Sequence, residues 1–346
     1  MTRNNKEKCC GNITINNNLI NGPGNVIVPT SPTAPTSPTS PTPPVPPTCG
    51  RVYVANEGNN NLSVIDLTTG EDLGTIGLNG EPFATYYNPF TGLINVVNSF
   101  SQTIDVVDPV TNQVIATYRP TTGASFPTNI VYDPEQNIYY VTTTRSGILL
   151  LDGTTYQQVG AITGVGINTP YDIARDPVTN YVYVTNSASN TVSIIDGSTV
   201  IGQITVGQTP TQITIDSVNR KAYVSVQGAS IVSIIDLTTN TVVDQLSFPN
   251  ETYRTAIDPT TNTAYIVVNN GTLAVVDGVT NEVLDVIPVG RAPRAVAISP
   301  ATRLAYVSNN FDNTVSVIDL DANTVIATLP VGTRPYGIAI YEFPCE

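Results

Sequence analysis

Histidine and tryptophan are absent from the 346 residues, and methionine occurs once, at Met1. Without histidine, the commonest general base and the commonest transition-metal ligand are missing. Ser-His-Asp and Cys-His nucleophilic machinery is thereby excluded, while carboxylate chemistry and hard-cation binding stay open. Charge is also scarce: charged residues make up 12% of the chain, and their balance is −13. No run is strongly basic, which argues against nucleic-acid binding, because that needs a cationic surface to displace counterions. No stretch approaches the ~20 apolar residues of a membrane helix, so no transmembrane segment is expected. Met1-Thr-Arg-Asn-Asn-Lys-Glu-Lys8 leads straight to Cys9-Cys10 without an apolar stretch. A conventional secretory signal is therefore not expected there.

What is present is 40% hydrophobic residues, with Thr, Asn, Val and Ile prominent. That composition suits strands and turns. Three segments follow one another. Residues 1–28 are Asn-rich and hold the vicinal cysteines and two short strand-like runs, Asn12-Ile-Thr-Ile15 and Asn25-Val-Ile-Val28. Residues 29–48 read PTSPTAPTSPTSPTPPVPPT. Such proline density forbids helix and central strand and favours polyproline II, a spacer reaching on the order of 60 Å at ~3.1 Å per residue. Residues 49–346 form the third segment, which is repetitive.

An aspartate ending a V-S-V/I-I-D run recurs at Asp66, Asp108, Asp152, Asp196, Asp236, Asp277 and Asp319. Upstream lies an aromatic strand, as in Val52-Tyr-Val-Ala-Asn56 and Tyr306-Val-Ser-Asn309; a T-x-x-V-I run and then P-x-x-I-A-I follow, as in Pro335-Tyr-Gly-Ile-Ala-Ile340. Four short strands at a period of about 40–45 residues, repeated seven times, predict a seven-bladed β-propeller of four-stranded blades. The recurring aspartates read as turn formers that accept from nearby backbone amides. Asp319-Leu-Asp-Ala-Asn323 lacks the glycine and terminal glutamate of an EF-hand.

Tyr183-Val-Thr-Asn186, with the V-S-V-I-D and P-x-x-I-A-I elements, resembles the YVTN-repeat family of β-propellers over residues 51–346. The resemblance implies that the P-x-x-I-A-I strand is innermost in its blade. The first repeat then starts at its second strand and the last ends on a lone inner strand, Pro335–Ile340. The C-terminal strand should complete the N-terminal blade and close the ring. In that register Cys49 and Cys345 fall in one turn between two strands of the same blade, and an intramolecular disulfide is expected. It would close a loop of nearly 300 residues, with an idealised stabilisation on the order of 4–5 kcal/mol. Cys9 and Cys10 then remain as candidates for intermolecular bonds, since adjacent cysteines bond one another only under strain.

The position after each inner-strand proline lies near one mouth of the channel. There and at the next position stand Phe83, Tyr171, Asp172, Tyr253, Arg254, Arg294 and Tyr336, the candidate channel-mouth residues. They read either as a small-molecule or peptide site or as a packed cap. No catalytic residue, metal site or cofactor is expected.

These features predict a non-enzymatic structural or adhesive surface protein. Its leader would dock on a neighbouring subunit by strand addition and be cross-linked there through Cys9 or Cys10, giving self-association and fibres. The leader resembles those of spore-surface and spore-appendage proteins, which are released by mother-cell lysis without a signal peptide. The expected location is thus extracellular, at a cell or spore surface, with another surface protein or a glycan as a further candidate partner. The alternative is a ligand- or peptide-binding propeller with the leader as an anchor. A lactonase-like or quinone-dependent propeller enzyme is disfavoured by the missing histidine and tryptophan.

Overall fold

A computed structural model of the chain describes residues 48–120, 126–145 and 147–345. The readings of residues 1–28 and of the spacer up to residue 47, including Cys9 and Cys10, lie outside the described residues.

Twenty-eight strands, numbered β1 to β28 in chain order, form seven four-stranded antiparallel sheets among the described residues. The innermost strands are β4 (Pro82–Asn88), β8 (Pro127–Asp133), β12 (Pro170–Arg175), β16 (Pro210–Asp216), β20 (Thr252–Asp258), β24 (Pro293–Ser299) and β28 (Pro335–Pro344). Each touches the inner strand of the blade on either side, and β28 touches both β24 and β4, so the ring is closed. In the first blade β28 pairs with β1 (Thr48–Asn56), which pairs with β2 (Asn61–Asp66) and then β3 (Asp72–Gly77). The C-terminal strand thus completes the N-terminal blade.

The core is divided into seven apolar clusters, one between each pair of neighbouring blades. Strand periodicity explains this. Side chains alternate between faces, so Val52 and Val54 pack toward the seventh blade while Tyr53 and Ala55 pack toward the second. Both faces of the two middle strands are covered, and they read as continuous apolar runs. The outer strands are covered on one face only and alternate, as Thr324–Pro330 does. Burying each such Val or Ile contributes roughly 1.5–3 kcal/mol.

Asparagine has its own structural reason. Ten of the twenty non-glycine residues with positive φ among the described residues are asparagines, from Asn60 to Asn323. They turn the chain tightly between strands, where asparagine tolerates the left-handed region better than other side chains.

The seam differs from the sequence expectation in one respect. Cys49 and Cys345 are joined, with Cα atoms 5.0 Å apart, but they do not share a turn. There β1 and β28 run on beyond the usual blade length, pairing Thr48 with Pro344 and Cys49 with Phe343. The disulfide lies at the open end of that extended ladder. Thr48 is accordingly the first residue of β1 and not the last of the spacer.

Candidate functional site: the channel mouth

The aromatic strand holds the mouth in place, residue by residue. In the fourth blade, Tyr183 donates its hydroxyl hydrogen bond across the blade boundary to Asn240 Oδ1 at 3.0 Å. Val184 fills the core. Thr185 Oγ1 donates to the Thr211 carbonyl of the next inner strand at 2.7 Å. Asn186 Nδ2 ties back to Ser193 Oγ within the blade at 2.8 Å. The same roles recur: Thr142 and Ser308 donate to the carbonyls of Tyr171 and Tyr336, at 3.2 and 2.7 Å. The residue after the inner-strand proline is thus positioned by the blade before it.

Two backbone features turn that residue into the channel. Every inner strand carries an irregular register just after its start, for example between Pro170 and Ile173 and between Pro293 and Val296. Such bulges re-aim side chains. Five of the residues that precede an inner-strand proline have positive φ: Phe126, Thr169, Thr209, Ala292 and Arg334. Residues before proline ordinarily adopt extended conformations, and β-branched Thr169 and Thr209 are strained in this region.

All seven candidate mouth residues converge. Phe83 stacks on Tyr336 with ring centroids 4.5 Å apart and meets Tyr171 edge-on at 6.1 Å. The Arg294 guanidinium lies 4.2 Å over the Tyr253 ring. Burial, and then the neighbouring Tyr336 phenol, hold the Tyr171 hydroxyl well above its ordinary pKa. Burial also raises Tyr336 and Tyr253, partly offset in each by Arg294. These phenols are neutral near pH 7 and act as an apolar lid with polar tips.

One position deeper, the ring is divided. Asn129, Asp172, Gln212 and Arg254 occupy four consecutive blades, and Ala295, Gly337 and Ala84 occupy the other three. Asp172 is buried and both of its oxygens are hydrogen-bonded: Asn129 Nδ2 donates to Oδ1, and the Ile213 amide donates to Oδ2 at 3.0 Å. Arg254 Nη2 stands 3.9 Å from Asp172 Oδ1, an ion pair beyond hydrogen-bond reach. Below this level the channel widens into a cavity of about 330 Å³ lined by Thr85, Tyr86, Ile130, Val131, Ala174, Ile213 and others. Tyr86, the one large side chain among small ones at its level, is pushed up to about 12 by burial.

Six of the seven repeated aspartates, all but Asp196, behave as turn formers. Asp66, Asp152, Asp236, Asp277 and Asp319 each accept from two successive backbone amides, and Asp108 from the amide of Val110. A second set escaped the sequence reading. Asp133, Asp176, Asp216 and Asp258 lie at or just beyond inner-strand ends and are buried. Each caps its turn, and two also take an arginine from the next blade. Arg220 makes a two-pronged contact with Asp176, and Arg303 pairs with Asp258. Aligning on the downstream aspartates hid them, although each stands six residues after its inner-strand proline or that proline's equivalent.

The two faces of the ring differ as a result. Both sets of aspartates lie at the face where inner strands end. Arg119, Arg145, Arg254, Arg291, Arg294 and Arg334 lie toward the mouth face.

No curated protein matches the sequence. Among solved structures, a functionally unknown protein from Desulfotomaculum acetoxidans superposes with a TM-score of 0.72 at 16% identity, covering 84% of this chain and 98% of that one. Hydrazine synthase from Kuenenia stuttgartiensis gives 0.66 at 19%, covering 77% and 91%. Apo AztD from Citrobacter koseri gives 0.60 at 14%, covering 85% and 98%. At such identities the likeness is one of fold, and fold does not carry function. The family model described as YNCE-like beta-propeller matches residues 93–342, most of the ring, and the chain belongs to that family.

Proposed function

We propose that the chain is a non-enzymatic structural protein of a cell or spore surface. In this reading the propeller is a rigid disc, and the leader joins it to a neighbouring copy. One observation carries the reading. The chain has four cysteines, and Cys49 and Cys345 are bonded to each other. Cys9 and Cys10 are left without an unstrained partner in their own chain, and a second chain is the natural source of one. Head-to-tail docking of identical discs generates an open fibre. The commitment of the buried carboxylates Asp172, Asp176 and Asp258 to hydrogen bonds and arginines supports a role other than catalysis.

The test is negative-stain microscopy and non-reducing electrophoresis of the full chain, with and without reductant. Extended, covalently linked multimers that reductant breaks down are expected. The Cys9→Ser/Cys10→Ser double variant should remain monomeric with an unchanged circular dichroism spectrum. Dispersed monomers of the unaltered oxidised protein would refute the proposal. A second reading, a ligand-binding propeller anchored by its leader, is favoured by the Arg254 guanidinium facing the channel cavity.

A further inference from the structure

We propose that the channel cavity binds a small organic carboxylate, with its anionic head on Arg254 and its apolar body against the channel wall. This site belongs to the ring and is independent of the leader's role in assembly.

Arginine presents five N–H donors. Among the described residues, Arg254 makes no hydrogen bond, and its one charged neighbour is Asp172 at 3.9 Å. Asp172 is held in place by Asn129 and the Ile213 amide, which donate to its two oxygens, and it leaves the Arg254 fork without a hydrogen bond. Arg294, the other cation of the mouth, is stacked on Tyr253 in the lid. Arg254 and Arg175 line the cavity beneath, and Arg175 already donates to the Tyr132 carbonyl at 3.3 Å and to Asn180 Oδ1 at 2.8 Å. The Arg254 side chain is 29% exposed, so an incoming anion can reach its guanidinium, and a carboxylate fits that fork with two parallel bonds.

A second polar group points the same way. Thr85 lines the same cavity, and its hydroxyl, buried with no partner among the described residues, can reach a ligand by rotation about χ1. A hydroxyl can donate to a carboxylate oxygen or accept from a ligand hydroxyl. The rest of the wall sets the ligand's body. Ile130, Val131, Ile173, Ile213, Val296 and Ile338 are apolar, and bare inorganic anions gain nothing from them. A volume of about 330 Å³, apolar walls and a few convergent polar groups match the build of small-molecule sites. The three small residues opposite the polar arc, Ala295, Gly337 and Ala84, let the inner strands approach closely on that side, and Phe83 and Tyr336 stack over it as the lid.

The experiment is isothermal titration of the full chain with isovalerate and benzoate, beside their uncharged amides and inorganic phosphate, supported by saturation-transfer NMR. The carboxylates should bind at least tenfold tighter than the amides and tighter than phosphate. Arg254→Gln should weaken carboxylate binding at least tenfold and leave the amides unaffected. The Thr85→Val variant, with the cation intact, should weaken it several-fold. The melting profile of each variant reports whether the ring is intact. Equal binding of acids and amides, or undiminished binding by a folded Arg254→Gln protein, would overturn the proposal. So would tighter binding of phosphate, which needs no apolar wall, or no binding by any probe. Cys9→Ser/Cys10→Ser should bind carboxylates as the unaltered chain does, so this site and the assembly reading stand or fall separately.

Discussion

Asp258 shows how a single residue holds two blades together. Its side chain is completely buried, and it accepts from Thr260, Thr261 and, across the blade boundary, Arg303. Burial alone would raise its pKa. The Arg303 and threonine donors outweigh burial and hold it at about 2, below the ordinary 3.8. A group with a depressed folded-state pKa stabilises the fold above its unfolded value, and that contribution is lost as pH falls through the folded value. The share from Asp258, on the order of 2 kcal/mol, should therefore be present at pH 7 and fade between about pH 4 and 2. Urea titrations across that range should show Asp258→Asn less stable than the unaltered protein at pH 7, with the gap closing in acid. A gap independent of pH would refute the assignment. Asp258 belongs to the aspartates that escaped the sequence reading. Its arginine partner stands 45 positions away, in a turn of the next blade, and no local pattern announces that meeting.

At the scale of the element, the repeat was legible because each strand carries its own signature, and the second blade shows where legibility stops. Where other blades have the motif tyrosine, this one has Asn95. The turn of the next blade, which elsewhere supplies an asparagine such as Asn112 or Asn240, here supplies Tyr156. The hydrogen bond survives with its partners exchanged: Tyr156 donates to Asn95 Oδ1 at 2.7 Å. A reading strand by strand registers only a missing tyrosine, since the compensation lies 61 residues away. The pair should behave as a unit. Asn95→Tyr alone should overpack the boundary, and Tyr156→Asn alone should leave a cavity beside Tyr118 and Tyr139, each costing about 2–4 kcal/mol. The double variant should recover at least about 1 kcal/mol of the sum in a thermodynamic cycle. Strict additivity would show that the exchange is incidental. The bulges and strained residues that aim the mouth side chains were likewise unreadable, because they come from register between strands and not from residue type. The candidate mouth residues themselves were readable, since repeat alignment puts equivalent positions around one axis.

For the whole molecule, closure is what the seven repeats achieve together, and the seam between β1 and β28 is where it depends on chain ends. The disulfide spans 296 residues. In the chain-entropy limit such a link contributes about 5 kcal/mol by restricting the unfolded chain. Cys49→Ser/Cys345→Ser should keep the native circular dichroism spectrum but unfold at lower denaturant concentration, and reductant should bring the unaltered protein toward the same midpoint. An unchanged midpoint would show that the ladder alone seals the ring. The same seam governs how the disc answers a pull. The residues before Thr48 enter the ring through β1, so tension along the leader reaches Cys49 one residue after the first strand residue. From there it passes through the cross-link into β28. Two adjoining strands, bonded to each other and to the blades on both sides, then carry the load in parallel. The strand that takes the pull is covalently tied to its neighbour, so β1 cannot leave the blade without β28.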